Sequence, residues 1–170
     1  MCTKLLVTPM LALITLIGAC GFHMRGKEGL QFPFKTLFIQ APGKNTPFLI
    51  DLKQGVSMYG ISLSDSSENA QLTLLIVSET PSKQILSLSE AGRVSEYQLN
   101  YRVSFRAYDS KQQDWVAADE IVLQRYLSYN NALILAKDAE EAILYKDLRT
   151  DAVTQILRRL SRAKPPQPPQ

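Results

Sequence analysis

The chain has 170 residues, 45% of them apolar and 21% charged, with a formal net charge of +3 and a single histidine. A chain of this size supports one domain whose core can close without a metal or a disulfide, and its basic excess is too small to argue for nucleic acid. Cys2, Cys20 and His23 all sit at the amino terminus, which excludes the commonest Ser-His-Asp, Cys-His and zinc chemistries from the rest of the chain.

The first element is a short n-region whose one charge is Lys4, followed by an uncharged run from Leu5 to Ile17. The run fits the apolar part of a secretory signal. It falls short of the roughly 20 residues that a membrane span needs, and Pro9 weakens it further as a permanent helix. Leu16-Ile17-Gly18-Ala19-Cys20 closes it, with two small residues that let the backbone enter a peptidase cleft and a thiol directly after them. This resembles a lipobox. The resemblance implies a bacterial lipoprotein precursor in which residues 1–19 are a signal peptide and Cys20 becomes the lipidated amino terminus. A diacylglyceryl group on Cys20 Sγ, with an acylated amine beside it, anchors more firmly than one chain, since each buried CH₂ contributes about 0.8 kcal/mol. The plainer alternative is an ordinary cleaved signal and an incidental thiol, but an oxidising compartment would leave that lone cysteine reactive. Gly21 in place of Asp implies, by resemblance to enterobacterial-type sorting, delivery to the outer membrane. The expected layout is then a lipidated linker over 20–34, a domain over 35–163 and a Pro-rich tail over 164–170.

Lys35 to Ala41 is β-rich and closed by Pro42-Gly43, which predicts the first strand. A helix follows, with Thr46 as N-cap, Pro47 in the first turn and Phe48, Leu49, Leu52, Val56 and Tyr59 at helical spacing before Gly60. Residues 61–69 are Ser-rich and read as a loop with a short extended piece. From Ala70 the period becomes two, and a second extended run follows Pro81, predicting one long strand that bends at the proline. Ala91-Gly92 marks a hairpin turn. Next, Tyr97, Leu99, Tyr101, Val103 and Phe105 alternate with Gln98, Asn100, Arg102, Ser104 and Arg106, so one strand face meets helices and the other polar surroundings. Asp109 to Asp114 is a polar turn, and Trp115 to Leu127 the last strand. A long helix over 131–162 carries the stripe Leu144, Leu148, Ala152, Ile156 and Leu160, with Val153 and Leu157 beside it. The order β-α-β-β-β-α predicts an α+β two-layer sandwich, with two helices on one face of a four-stranded, mostly antiparallel sheet.

Little in the domain suggests catalysis. Gly26 and Gly29 follow no strand and form no phosphate loop. Asp138, Glu140, Glu141 and Asp147 alternate with Lys137, Lys146 and Arg149, a pattern that favours a salt-bridged helix face over a paired-carboxylate hydrolase. No catalytic residue, metal or cofactor is expected beyond the covalent lipid. Arg102 and Arg106 emerge on one sheet face, where they would hold phosphates bidentately or simply be solvated. Arg93 after the hairpin tip and Lys137 at the helix start stand where charge is free to reach a ligand. Tyr126 and Tyr129 fit core packing or an interface equally well.

Three segments taken in order carry a family resemblance: Cys20-Gly-Phe-His-Met-Arg25 after the lipobox, Ser95-Glu-Tyr-Gln-Leu99 at a strand start, and Ala136-Lys-Asp-Ala-Glu140 followed by Lys146-Asp147. The chain resembles the LptE family of outer-membrane lipopolysaccharide-assembly lipoproteins. That resemblance implies a non-enzymatic protein that forms a heterodimer with the LptD β-barrel, plugs it, supports its assembly and binds lipopolysaccharide on its way to the outer leaflet. The molecule would be lipid-anchored, face the periplasm and lie largely within the barrel. Large barrels leave a lumen that a compact α+β domain can fill. The resemblance implies Lys137 as the leading contact for lipopolysaccharide phosphates and Arg93 as the next. Here the chain departs from the family pattern, which places a basic residue just before the turn: this sequence has Glu90 there and Arg93 after it. The alternative is an auxiliary lipoprotein of another periplasmic lipid-transport system. A lipid-anchored hydrolase would have to rely on Asp138 or Glu140, and His23 fits a linker role.

Overall fold

The computed structural model describes residues 29–165. The signal, Cys20, Gly21, His23 and the end of the Pro-rich tail lie outside the described residues. The elements are β1 (Thr36–Gln40), α1 (Pro47–Met58), β2 (Ser62–Leu63), β3 (Leu72–Leu88), β4 (Val94–Tyr108), β5 (Asp114–Ser128), a 3-10 turn (Asn131–Leu133) and α2 (Ile134–Ser161).

Local chemistry explains the helix boundaries. The Thr46 hydroxyl accepts the Leu49 N–H at 3.2 Å, satisfying one of the donors that the first turn leaves unpaired, and Pro47 gives up an N–H with no helical partner. Gly60, at φ +73°, turns the chain out of α1 in a conformation that a side chain would strain. At the start of the second helical segment, Asn130 Oδ1 accepts from Ala132 N–H at 2.9 Å and caps the 3-10 turn, so the α-helix proper begins three residues later than its periodicity suggests.

The sheet has five strands in the order β2-β1-β3-β4-β5, one more than the sequence predicts, and it is mixed. β1 runs parallel to both neighbours, with Thr36 opposite Ser62 and Leu37 opposite Leu72, whereas β3, β4 and β5 form an antiparallel meander. The extra strand is only two exposed residues long, too short for any alternation to register. Buried Ile61 pulls it alongside β1 as the chain leaves α1. The expected bend at Pro81 is also corrected, because Pro81 stays in register opposite Tyr101 and the irregularities fall at Ile76/Ser78 and between Ile85 and Leu88. β1 covers β3 only from Leu72 to Leu75, so from Ile76 onward β3 is an edge, where a residue without an N–H is tolerated.

Both helices pack on one sheet face. Leu37, Leu72, Leu74, Ile76, Leu99, Val103 and Phe105 meet Phe48, Leu52 and Val56 of α1 and Leu148, Ile156 and Leu160 of α2, all of them buried. Each such side chain contributes about 1.5–3 kcal/mol of burial. Gly55 lets the helices approach, since a Cβ there would lie 3.0 Å from Leu157 Cδ1. Burial along α2 begins in earnest at Leu148, and its first turns overhang the sheet with Leu135 86% exposed.

Candidate functional site

The meander gives the domain two unlike ends. At one, β3 turns into β4 and β5 hands over to α2; at the other lie the β4–β5 turn, the entry of the amino-terminal segment and the last turn of α2.

The hairpin end is built around Gly92, at φ +71°. Its N–H donates to Ser89 O at 2.9 Å, and Ser89 N–H donates to Arg93 O at 2.7 Å. This turn holds Arg93 exposed, and Arg93 makes no ion pair among the described residues. Tyr129 N–H donates to Ser95 O at 2.8 Å, which brings the start of the α2 segment beside the hairpin, and with it Lys137. Lys137 Nζ lies 2.8 Å from Glu140 Oε2, and its side chain is 18% exposed. Arg93 and Lys137 therefore share one end of the molecule, one cation free and the other already neutralised within its helix.

Arg102 and Arg106 stand elsewhere. Both project from the sheet face away from the helices, and at about 3.3 Å per residue they lie about 25 and 40 Å along β4 from the turn. Arg102 Nη1 is 3.3 Å from Glu120 Oε2, Arg106 Nε is 3.3 Å from Asp114 Oδ1, and the Arg106 guanidinium lies 4.7 Å over the Tyr108 ring. An incoming phosphate would have to displace those carboxylates.

Sequence reasoning passed over two features of the hairpin end. The first is apolar: Ile85, Leu86 and Leu88 of β3 and Leu133, Ile134 and Leu135 are all exposed at the end that also carries Arg93 and Lys137. An exposed patch of this kind, rimmed by charge, marks an interaction surface. The second is a clamp. Lys83 lies opposite Leu99, so its side chain points to the helix face, where Nζ pairs with Glu141 and lies 4.1 Å from the Tyr97 ring centroid and 5.8 Å from that of Tyr129. Burial presses its pKa down, but the bond and charge of Glu141, with Tyr97 and Tyr129, outweigh this and hold the ammonium above its usual range. Tyr145 Oη donates to Ser82 O at 3.0 Å alongside, and burial, then Glu141, pushes its phenol pKa up. A lysine at a core-facing step of the strand period was the signal available in the sequence. Tyr129 packs edge-on against Tyr97 at 5.1 Å, while Tyr126 is exposed on the outer sheet face.

A cavity of about 470 Å³ opens at the free edge of β3, lined by Pro47, Glu79, Pro81, Lys83, Tyr145 and Arg149 among others. Its charged groups are already paired. Glu79 accepts from Tyr101 Oη and, at 3.2 Å, from the Thr46 hydroxyl, while Arg149 Nε lies 2.6 Å from Asp51 Oδ2. Burial and then the bond to Glu79 push the Tyr101 pKa far up, so this phenol keeps its proton. Glu140 and Glu141 are likewise engaged by Lys137 and Lys83, as a salt-bridged helix face requires. Among the described residues no helix is long and apolar enough to cross a membrane.

The family model for LptE, described as lipopolysaccharide-assembly, matches residues 34–160. The chain is 25% identical over 157 residues to the LPS-assembly lipoprotein LptE of Pectobacterium atrosepticum, covering 91% of this chain and 84% of that protein. It is 24% identical to the protein of the same name from Photorhabdus laumondii, covering 91% and 85%. Among solved structures, a lipoprotein B from Nitrosomonas europaea is similar at TM-score 0.72 and 39% identity, covering 83% of this chain and 90% of that one. A minor lipoprotein from Acinetobacter baumannii shares the fold at TM-score 0.65, with 24% identity over 81% of this chain and 99% of its own.

Proposed function

The chain belongs to the LptE family of non-enzymatic lipopolysaccharide-assembly lipoproteins, and from that premise we propose that it is held in the outer membrane through Cys20, enters and supports an LptD-like β-barrel, and presents its hairpin end to lipopolysaccharide. The observation that carries this reading is the opposition of the two ends. The amino-terminal segment joins the domain where Phe34 meets Trp115, at a centroid distance of 6.5 Å, far from the β3–β4 turn. An anchored domain of this shape enters a lumen hairpin first.

The hairpin end suits an amphiphile that carries phosphates. Arg93 and Lys137 supply cations, and the exposed Ile and Leu side chains at the same end supply apolar contact. Arg93 is available as it stands, whereas Lys137 must exchange Glu140 for the ligand, so Arg93 carries more weight here than its position after the turn suggests. Arg102 and Arg106 are a second pair of candidates on the outer sheet face, each behind a carboxylate.

A detergent pull-down from outer membranes, with the mature protein tagged after Gln170, is expected to recover a stoichiometric barrel-sized partner. Arg93→Ala and Lys137→Ala should leave that partner in place and weaken lipopolysaccharide retention by about tenfold or more each, as loss of a charge-assisted hydrogen bond implies. Recovery of the protein alone, or with inner-membrane transporter subunits, would replace this reading with that of an auxiliary lipid-transport lipoprotein.

A further inference from the structure

The end opposite the hairpin carries a second group of cations for which the lipopolysaccharide reading has no use. Arg158 and Arg162 stand one turn apart on the exposed side of the α2 carboxyl terminus, and exposed Lys164 follows. Gln155, Arg158, Arg159 and Arg162 line a shallow hollow of about 270 Å³ that contains no carboxylate. Arg159 is held by the fold, with Nη1 3.1 Å from Asp119 Oδ2 and its guanidinium 5.6 Å over the Phe105 ring. Arg158, Arg162 and Lys164 make no salt bridge among the described residues. A cation near the carbonyl end of a helix favours the helix dipole, but that effect fades within the last turn and does not call for three unpaired charges.

The position of the amino-terminal segment points to what these charges meet. The Phe32 ring packs 5.4 Å from Tyr59, which lines a groove with Leu157 of α2, so the chain enters beside the basic turn. Gly29 is separated from Cys20 by nine peptide steps, which span at most about 30 Å when fully extended. A lipid on Cys20 therefore keeps this end of the domain close to the leaflet surface. Two acids at the same end are occupied, Asp109 by turn donors and Asp114 by Arg106, while Asp65 and Glu68 stand on the loop between β2 and β3.

We propose that Arg158, Arg162 and Lys164 rest on the anionic phospholipid headgroups of the leaflet that carries the anchor. This rests on the lipobox reading of Cys20. The surface potential of an anionic leaflet favours each nearby Lys or Arg by about fivefold in partitioning. That attraction dies away within about 10 Å at ordinary salt. It is too weak to recruit a soluble protein through three charges, but enough to orient one already tethered, with α2 rising from the surface and the hairpin directed away.

Arginine-directed labelling with phenylglyoxal, resolved by residue through mass spectrometry, tests this on the mature protein purified from membranes. The protein is reconstituted in phosphatidylcholine vesicles and in vesicles with about one third phosphatidylglycerol. Arg158 and Arg162 are expected to react several-fold more slowly on the anionic vesicles and to lose that protection at high salt, with Arg93 and Arg102 unchanged. Equal labelling on both vesicles overturns the proposal. Protection that appears only when a barrel co-purifies also overturns it, and gives this face to a protein partner. The mass of the amino-terminal peptide from the same sample separates the two layers of the argument: an unmodified Cys20 overturns the anchor and the patch together, whereas an acylated Cys20 with equal labelling overturns the patch alone.

Discussion

The carboxylate of Asp109 organises the turn between β4 and β5. Oδ1 accepts from Lys111 N–H at 2.8 Å and from Gln113 N–H at 3.0 Å, Oδ2 accepts from Trp115 Nε1 at 3.3 Å, and Gln112 is held at φ +62° between them. Burial pushes the carboxyl pKa up, but the bonds from Gln113, Trp115 and Lys111 and the Lys111 charge outweigh it and hold the pKa below its ordinary value of 3.8. A group whose folded pKa is depressed adds stability that is fully present above its unfolded pKa and disappears as pH falls through the folded one. Asp109→Asn should therefore lower the urea midpoint at pH 7 and narrow its gap to wild type below about pH 4. Denaturation curves across that range would show it, and a gap unchanged with pH would contradict it. Polar composition made this turn legible in the sequence, as it did the Thr46 cap. What the sequence did not reveal is which donors Asp109 gathers, because the backbone must first adopt the left-handed step at Gln112.

At the scale of elements, α2 divides into a half that is packed and a half that is fastened. From Leu148 onward its stripe is buried against the sheet, whereas the preceding turns rest on Lys83–Glu141, on Tyr145 and on partly buried Leu144. A partly exposed ion pair contributes only about 0.2–1 kcal/mol. Lys83→Met should thus speed amide exchange over residues 135–145 a few-fold while leaving residues 148–160 unchanged, which peptide-resolved hydrogen exchange can read. Uniform acceleration along the helix would mean that α2 is one cooperative unit. Elements with a strict period were legible: β4 alternates because helices cover one of its faces, and α1 and α2 carry buried stripes. β2 was not, since two residues have no period. The place of Pro81 is not legible locally, because whether a proline bends a strand depends on whether a neighbour occupies its other side.

Considered whole, the domain has two unlike ends: one receives the amino-terminal segment and the last turn of α2, the other exposes apolar side chains beside Arg93 and Lys137. If the hairpin end enters a barrel first, a photo-crosslinking residue in place of Leu88 or Leu135 should capture the barrel, and one in place of Lys164 should not; the reverse pattern would invert the insertion. The candidate site was half legible in the sequence. Arg93 and Lys137 stand out from their places at a turn and a helix start, but their shared end depends on β5 returning the chain beside the hairpin. Arg102 and Arg106 stand out equally, and only the register with β5 reveals that Glu120 and Asp114 face them.

The strand register also determines how the molecule behaves alone. β3 beyond Leu75 and the whole outer side of β5 lack a neighbouring strand among the described residues. Pro81 offers no donor on the first of these edges, the register of β3 shifts three times along it, and Glu79 and Lys83 there, like Asp119 and Arg125 on β5, turn charges toward the helix layer. Edges of this kind are poor templates for a further strand. The domain alone thus resists polymerising with its own copies through its strands, and leaves association to side chains that only a fitting surface can engage.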